Sequence, residues 1–392
     1  MFNEKKVDLI EARLDKIAAD IVASRANDFG YPMNLTSCML NFYKWFQGSG
    51  LNLGSFSNAG DPFDDEACNH GANTLLIERE VIEKLGPLYG FDKDNIWGIV
   101  TNSGTDGNNH GIYFGAKYLK KKTNKKPILY TSDAAHYSGR RLADLQNLDM
   151  KLIPSDVHGC MIPEELEKAL IPGQPALILY AIGTTFKGGV DKMDDLNKVL
   201  AGHTDIAVYR HLDAALFGGY LPYTKYSDIV NRKEHIFDSI SVSGHKFFGI
   251  DETSGIFLTT MDIKNAQNSY EVSYLNCSMP MINCSRSALT PLKFWWILQH
   301  TSREDFIKQS ETFLERAAWL KNEFDIMKWP AWIEPMSNTV YFKSPSKELV
   351  KKYNLASDFD SRLGGSLSHI VVMQHVSEKK LRHFLDEIAA SI

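Results

Sequence analysis

The chain of 392 residues has few cysteines, no surplus of either charge and no long apolar run. Its five cysteines, Cys38, Cys68, Cys160, Cys277 and Cys284, are odd in number, and none belongs to a CxxC pair. That argues against a disulfide framework and against a zinc site, so no metal is expected, and it fits a reducing cytoplasm. A net charge of −5 leaves no basic surplus for nucleic acid or an acidic membrane as the main partner. Lys120 to Lys126 carries five lysines but lies between a helical run and a strand, where it reads as a solvated loop. No apolar stretch reaches the ~18 residues of a membrane span. Met1-Phe2-Asn3-Glu4-Lys5-Lys6 leads into no apolar signal segment. There is no internal repeat and no low-complexity tract. The expectation is a soluble, cytoplasmic protein.

At 44% hydrophobic and 23% charged residues the chain belongs with globular proteins. Its length allows a large core and two domains of ~100–200 residues each. Residues 4–28 carry helical periodicity, with Val7, Ile10, Leu14, Ile17, Ala18 and Ile21 on one face and Gly30-Tyr31-Pro32 as the stop. Nothing in that segment encloses a core of its own, so it reads as an arm. Residues 33–72, rich in Asn, Gly, Ser and Asp, resist assignment.

From Leu75 an alternation of helices and strands begins. Helical patterns at 75–89 and 107–122 flank a strand at 96–102. Further apolar runs follow at 128–130, 152–154, 176–182, 206–212, 240–242 and 255–258, with helix-like segments at 163–170 and 193–200. This rhythm predicts an α/β fold with a mostly parallel sheet covered on both faces. After Thr260 helices at 292–300 and 303–324, strands at 339–342 and 369–373 and a closing helix at 378–392 predict a smaller C-terminal α+β domain. The expected division is an arm and substrate loop over residues 1–60, a large domain over 61–280 and a small domain over 281–392.

Three motifs end strands of the large domain. Ser243-Gly244-His245-Lys246 closes the run Ser239-Ile240-Ser241-Val242. A lysine at a buried strand end loses hydration, which lowers its pKa and supplies the neutral amine that a Schiff base needs. His211-Leu212-Asp213-Ala214-Ala215 ends an earlier strand with a carboxylate beside small residues. Asn102-Ser103-Gly104-Thr105-Asp106-Gly107-Asn108 opens a helix after another, where backbone N–H groups and hydroxyls make an anion site. Each alone also reads as an ordinary solvated loop, cap or βα turn. Together, at the carboxyl edge where such sheets bind cofactors, they supply an aldehyde-trapping amine, a buried carboxylate and a phosphate cradle. Those are the requirements of pyridoxal phosphate. His136 and Gly183-Thr184-Thr185 also follow strands. Spacing leaves His136 open between a surface histidine and one that stacks on a ring, and Thr184 open between a turn residue and a ring contact.

In this order the motifs, with His136-Tyr137-Ser138 included, resemble the group II pyridoxal-phosphate-dependent amino acid decarboxylases. Within that family the chain looks most similar to the bacterial histidine decarboxylases and plant serine decarboxylases, from about Gly30 onward. The resemblance implies the type I aspartate-aminotransferase-like fold and a homodimer with shared active sites. It implies that Lys246 carries the cofactor, His136 stacks on its ring, Asp213 meets the pyridine nitrogen and Ala215 packs on the opposite ring face. It places Ser103, Gly104, Thr105, Ser243 and His245 at the phosphate, Thr184 near the ring hydroxyl and Ser337 near the reacting carbon. The loop at Asn58-Ala59-Gly60-Asp61-Pro62-Phe63 is implied to help form the neighbour's substrate pocket.

The chain departs from those relatives at Cys284-Ser285-Arg286-Ser287-Ala288-Leu289, where they typically read Gly-Ser-Arg-Asn-Gly-His, and at the residues before Asp213. The implied reaction is decarboxylation of an L-amino acid, histidine to histamine first. Serine, aspartate and aromatic amino acids are alternatives. An aminotransferase or aldehyde synthase of the same fold is a rival, and so is a non-catalytic protein that kept the fold. Arg286 is left open as a clamp on the substrate carboxylate.

Overall fold

The computed structural model describes residues 4–25, 27–36, 39–69, 71–267, 270–273 and 277–391. Cys38 and the side chains of Val7 and Cys277 lie outside that description. The seven runs expected as strands between residues 96 and 258 are strands β1 (Ile96–Thr101), β2 (Ile128–Ser132), β3 (Met150–Ile153), β4 (Ala176–Ala181), β5 (Val208–Asp213), β6 (Ser239–Ser243) and β7 (Gly255–Thr260). They form one sheet in the order β1-β7-β6-β5-β4-β2-β3. All neighbours are parallel except the two pairs made by β7. β1, β2, β4, β6 and β7 are buried along their whole length, so β1 and β4 read as nearly continuous apolar runs, while β6 buries serines at alternate positions.

The longer helices are α1 (Glu4–Arg25), α2 (Leu40–Gly48), α3 (Leu75–Leu85), α4 (Gly104–Thr123), α5 (Leu289–His300), α6 (Arg303–Ile326) and α7 (Glu378–Ala389). α5 lies against α3 of the large sheet. α6 starts at a capping box, Ser302 with Asp305, and packs on α7 and on the second sheet. That sheet is antiparallel, in the order β8 (Ala331–Trp332), β9 (Thr339–Lys343), β11 (Gly365–Val371), β10 (Ala356–Asp360).

One apolar cluster runs from Ile82 and Val242 through Phe294 and Phe313 to Phe342 and Phe384, so both sheets share a core. The chain after α1 is tied to the small sheet. Phe29 donates its N–H to the Tyr353 carbonyl at 3.2 Å, and its own carbonyl accepts from Val371 N at 2.8 Å. Ile10, Leu14, Ile17 and Ile21 are 51%, 58%, 45% and 46% exposed, so a single chain leaves the apolar face of α1 uncovered.

α4 sits unusually low on the sheet. A Cβ at Gly107 would fall 2.2 Å from Ser241 Oγ, at Gly111 2.3 Å from the His211 ring, and at Gly115 2.5 Å from the Tyr209 ring. Glycines at four-residue intervals share one helix face. They let the helix axis approach β5 and β6 more closely than any side chain would permit, which brings the start of α4 to the carboxyl edge of the sheet.

Candidate active site

A cavity of about 640 Å³ opens at that edge. Its wall includes Ser103, Gly104, Thr105, His136, Thr184, Asp213, Ala215, Ser243, His245 and Lys246, contributed by the ends of five strands or the turns after them. Ten positions spread over 144 residues of sequence thus meet in one space.

The start of α4 forms one end. Ser103 is its N-cap and accepts the Asp106 N–H at 3.1 Å. The N–H groups of Gly104 and Thr105, in the first turn, have no partner within the helix, as in any first turn. Ser243 Oγ closes on Gly104 so tightly that a Cβ there would lie 2.4 Å from it. Backbone N–H groups beside hydroxyls at the positive end of a 20-residue helix make an anion cradle.

Lys246 follows β6. Burial lowers its amine from the usual lysine value, and the Asp213 charge opposes that. Among the described residues its Nζ has no hydrogen-bond or ion-pair partner. Asp213 ends β5; its Oδ2 accepts from Asn108 Nδ2 at 2.7 Å and its Oδ1 from Ala215 N at 3.3 Å. His136 lies over the same space with Nδ1 2.7 Å from Ser138 Oγ. Desolvation lowers its pKa, Asp213 raises it and Lys246 lowers it further. His245 is lowered in the same way, chiefly by burial, and its Nδ1 lies 3.0 Å from the Ser254 carbonyl. Thr184 is held in its turn by accepting the Gly189 N–H at 2.8 Å.

Ser337, expected near the reacting carbon, and Arg286, left open as a clamp, are both absent from the cavity wall. Ser337 is buried, its Oγ accepts the Thr339 N–H at 3.0 Å, and a Cβ at Gly188 would come within 2.3 Å of it. Its neighbour Thr339 reaches the wall instead. Arg286 is sequestered: Nη2 lies 2.9 Å from Glu78 Oε2 and 3.0 Å from Oε1, both side chains being buried. The same carboxylate accepts Asn58 Nδ2 and the Val100 N–H. Arg286 therefore ties the 57–58 segment, α3 and β1 together and does not reach the cavity as a clamp. In the 58–63 loop the polar groups are likewise spent inside, with Asp61 Oδ1 accepting from Trp97 Nε1 at 2.8 Å.

The wall also includes residues that motif reading passed over. Asn108 stands inside the quoted 102–108 motif, and only its bond to Asp213 reveals it. Tyr31, Phe186, Ser357, Asp358 and His369 line the part formed with the small sheet. Both His369 ring nitrogens meet carbonyls, Phe186 O at 2.6 Å and Gly30 O at 2.9 Å.

A profile of the pyridoxal-dependent decarboxylase conserved domain matches residues 114–328. Serine decarboxylase 1 of Oryza sativa subsp. japonica is 32% identical over 94% of the chain and 73% of its own length. Histidine decarboxylase of Morganella morganii is 28% identical over 96% of each. The fold of L-methionine decarboxylase from Streptomyces sp. 590 superposes with a TM-score of 0.80 over 100% of this chain and 95% of that one, at 19% identity. The chain belongs to the pyridoxal-dependent decarboxylase family. It is a pyridoxal-phosphate-dependent amino acid decarboxylase, a lyase with the aminotransferase-like fold of its structural neighbours.

Proposed function

We propose that the chain decarboxylates L-histidine to histamine, and that the ten cavity residues hold the cofactor in the roles their positions allow. The observation that carries the site assignment is the convergence of an unpartnered, partly desolvated amine, a carboxylate and an open helix N-terminus in one cavity. These features fit pyridoxal phosphate. Ser103, Gly104, Thr105, Ser243 and His245 would hold its phosphate, and Asp213 its pyridine nitrogen. His136 and Ala215 would flank the ring, Thr184 would approach the ring hydroxyl, and Lys246 would hold the aldehyde carbon. Bound there, the cofactor supplies an electron sink for the bond from Cα to the carboxylate.

The remaining chemistry falls to the chain. Desolvation lowers the Lys246 amine from the usual lysine value and so favours the neutral, nucleophilic form. The cavity walls select which Cα bond is set for cleavage. With Arg286 bound to Glu78, this chain offers no bidentate arginine grip on the α-carboxylate from that position, and a carboxylate that is to leave as carbon dioxide needs none.

For the side chain, the small-sheet part of the wall carries Ser357 and Asp358. An acceptor carboxylate suits the N–H of an imidazole and opposes the carboxylate of aspartate. Serine is the alternative substrate, since serine decarboxylases are among the relatives. The uncovered apolar face of α1 supports a second copy of this chain as its partner, in a homodimer with shared sites in a reducing cytoplasm. Incubating the cofactor-loaded protein with each common L-amino acid and ranking carbon dioxide release tests the substrate. Histidine should lead, and a clear preference for serine would replace histidine in this reading.

A further inference from the structure

Behind Asp213 lies a buried file of polar side chains that the decarboxylation chemistry above does not use. Asn108 Nδ2 donates to Asp213 Oδ2 at 2.7 Å, and Asn108 Oδ1 lies 3.1 Å from His211 Nε2. His211 Nδ1 lies 2.8 Å from Ser239 Oγ, which accepts from Tyr209 OH at 2.9 Å. Asn108, His211, Tyr209 and Ser239 are all buried, so no water substitutes for these partners.

The chemistry of the members fixes the direction of every bond. Asp213 as a carboxylate accepts only, so Asn108 turns its amide nitrogen to it and its carbonyl oxygen to His211. His211 must then carry its proton on Nε2 and accept at Nδ1, where Ser239 donates. Ser239 in turn accepts from Tyr209. Every donor points toward Asp213. Burial holds His211 neutral by lowering its pKa to about 3, consistent with one ring nitrogen donating and the other accepting. The glycines at 107, 111 and 115 permit the file by letting α4 descend onto β5 and β6.

We propose that Asn108 and His211 are positioning residues. They lock one oxygen of Asp213 from behind, so that the carboxylate presents a fixed acceptor to the pyridine nitrogen of the cofactor. The inference rests on the assignment of Asp213 to the ring nitrogen.

The test titrates cofactor-free Asn108→Ala, Asn108→Asp, His211→Leu, His211→Gln and Asp213→Ala proteins with pyridoxal phosphate. Affinity is read from tryptophan quenching, and the pH response from the visible absorption of the bound cofactor. kcat and KM are measured separately. Asn108→Ala and Asn108→Asp should each weaken the cofactor by about 10–100-fold, the loss of one hydrogen bond to a charged group. They should shift the pH response and lower kcat, with KM little changed. His211→Gln, which keeps an N–H for Asn108 Oδ1, should recover most of what His211→Leu loses. If His211→Leu does not fold, the Asn108 pair decides. Unchanged affinity and pH response in both Asn108 variants, with Asp213→Ala impaired, would overturn the positioning role alone. Normal binding and turnover by Asp213→Ala would instead remove the ring-nitrogen assignment beneath it.

Discussion

Gly104→Ala isolates the anion cradle from the rest of the site. The new Cβ would stand 2.4 Å from Ser243 Oγ and 3.4 Å from Ala215 Cβ, while Ser243 Cβ is 3.7 Å away. The Ser243 hydroxyl must therefore turn out of the cradle, or the first turn of α4 must lift from the strand. Overpacking of this kind costs about 1–3 kcal/mol, and about 1.4 kcal/mol is a factor of ten in affinity. Without cofactor Ser243 is free to turn, and alanine is worth up to about 1 kcal/mol over glycine within a helix. The two effects offset, so the cofactor-free variant should melt close to the parent. With cofactor, the cost falls on the phosphate. Affinity should drop about 10–100-fold, while kcat at saturating cofactor stays near the parent value because Lys246 and Asp213 are untouched. Equilibrium titration with pyridoxal phosphate, paired with thermal melts of the free protein, measures both. Parent-like affinity would refute the placement of the phosphate at Gly104 and Ser243.

Four further outcomes follow from the structure. Lys246→Ala should abolish the visible absorbance of the covalently held cofactor and lower turnover by several orders of magnitude. In the parent, cofactor capture should rise with pH and level off below the ordinary lysine value of 10.5. Between the lowered value and 10.5 the unfolded chain binds a proton that the folded one does not, so this group makes stability rise with pH across that window. A capture midpoint at or above 10.5 would contradict the desolvated amine. Glu78→Ala should cost about 3–5 kcal/mol in denaturant unfolding by stranding the buried Arg286 charge; a loss below about 1 kcal/mol would assign the pair a lesser role. Removing residues 1–25 should yield monomers with depressed activity in sedimentation at assay concentration, and fully active monomers would refute a shared site.

The strands at 96–101 and 176–181 were legible because burial on both faces makes each a nearly unbroken apolar run. The motifs that follow them were legible because the chain must change character where it leaves the sheet. α2 was hidden because its surroundings are rich in Asn, Gly and Ser, while its Phe42 finds partners far away, packing edge-on to Trp296 at 5.7 Å. β10 was hidden because its side chains, including an exposed Phe359, show no apolar alternation. Ser337 and Arg286 lie off the cavity wall for another reason. Position in sequence named them, but the turn at Gly188 and the carboxylate of Glu78 decide where their polar atoms go. The glycines at 107, 111 and 115 are visible in the sequence as a four-residue period, yet their meaning depends on the rings of His211 and Tyr209 beneath them.

The most direct test of the account is the product balance with L-histidine and the cofactor-loaded protein. Simultaneous measurement of carbon dioxide, histamine, imidazole keto acid, aldehyde and ammonia should give one carbon dioxide and one histamine for each histidine consumed, with the other products absent. Keto acid without carbon dioxide, or aldehyde and ammonia in place of the amine, would contradict decarboxylation to the amine at this site.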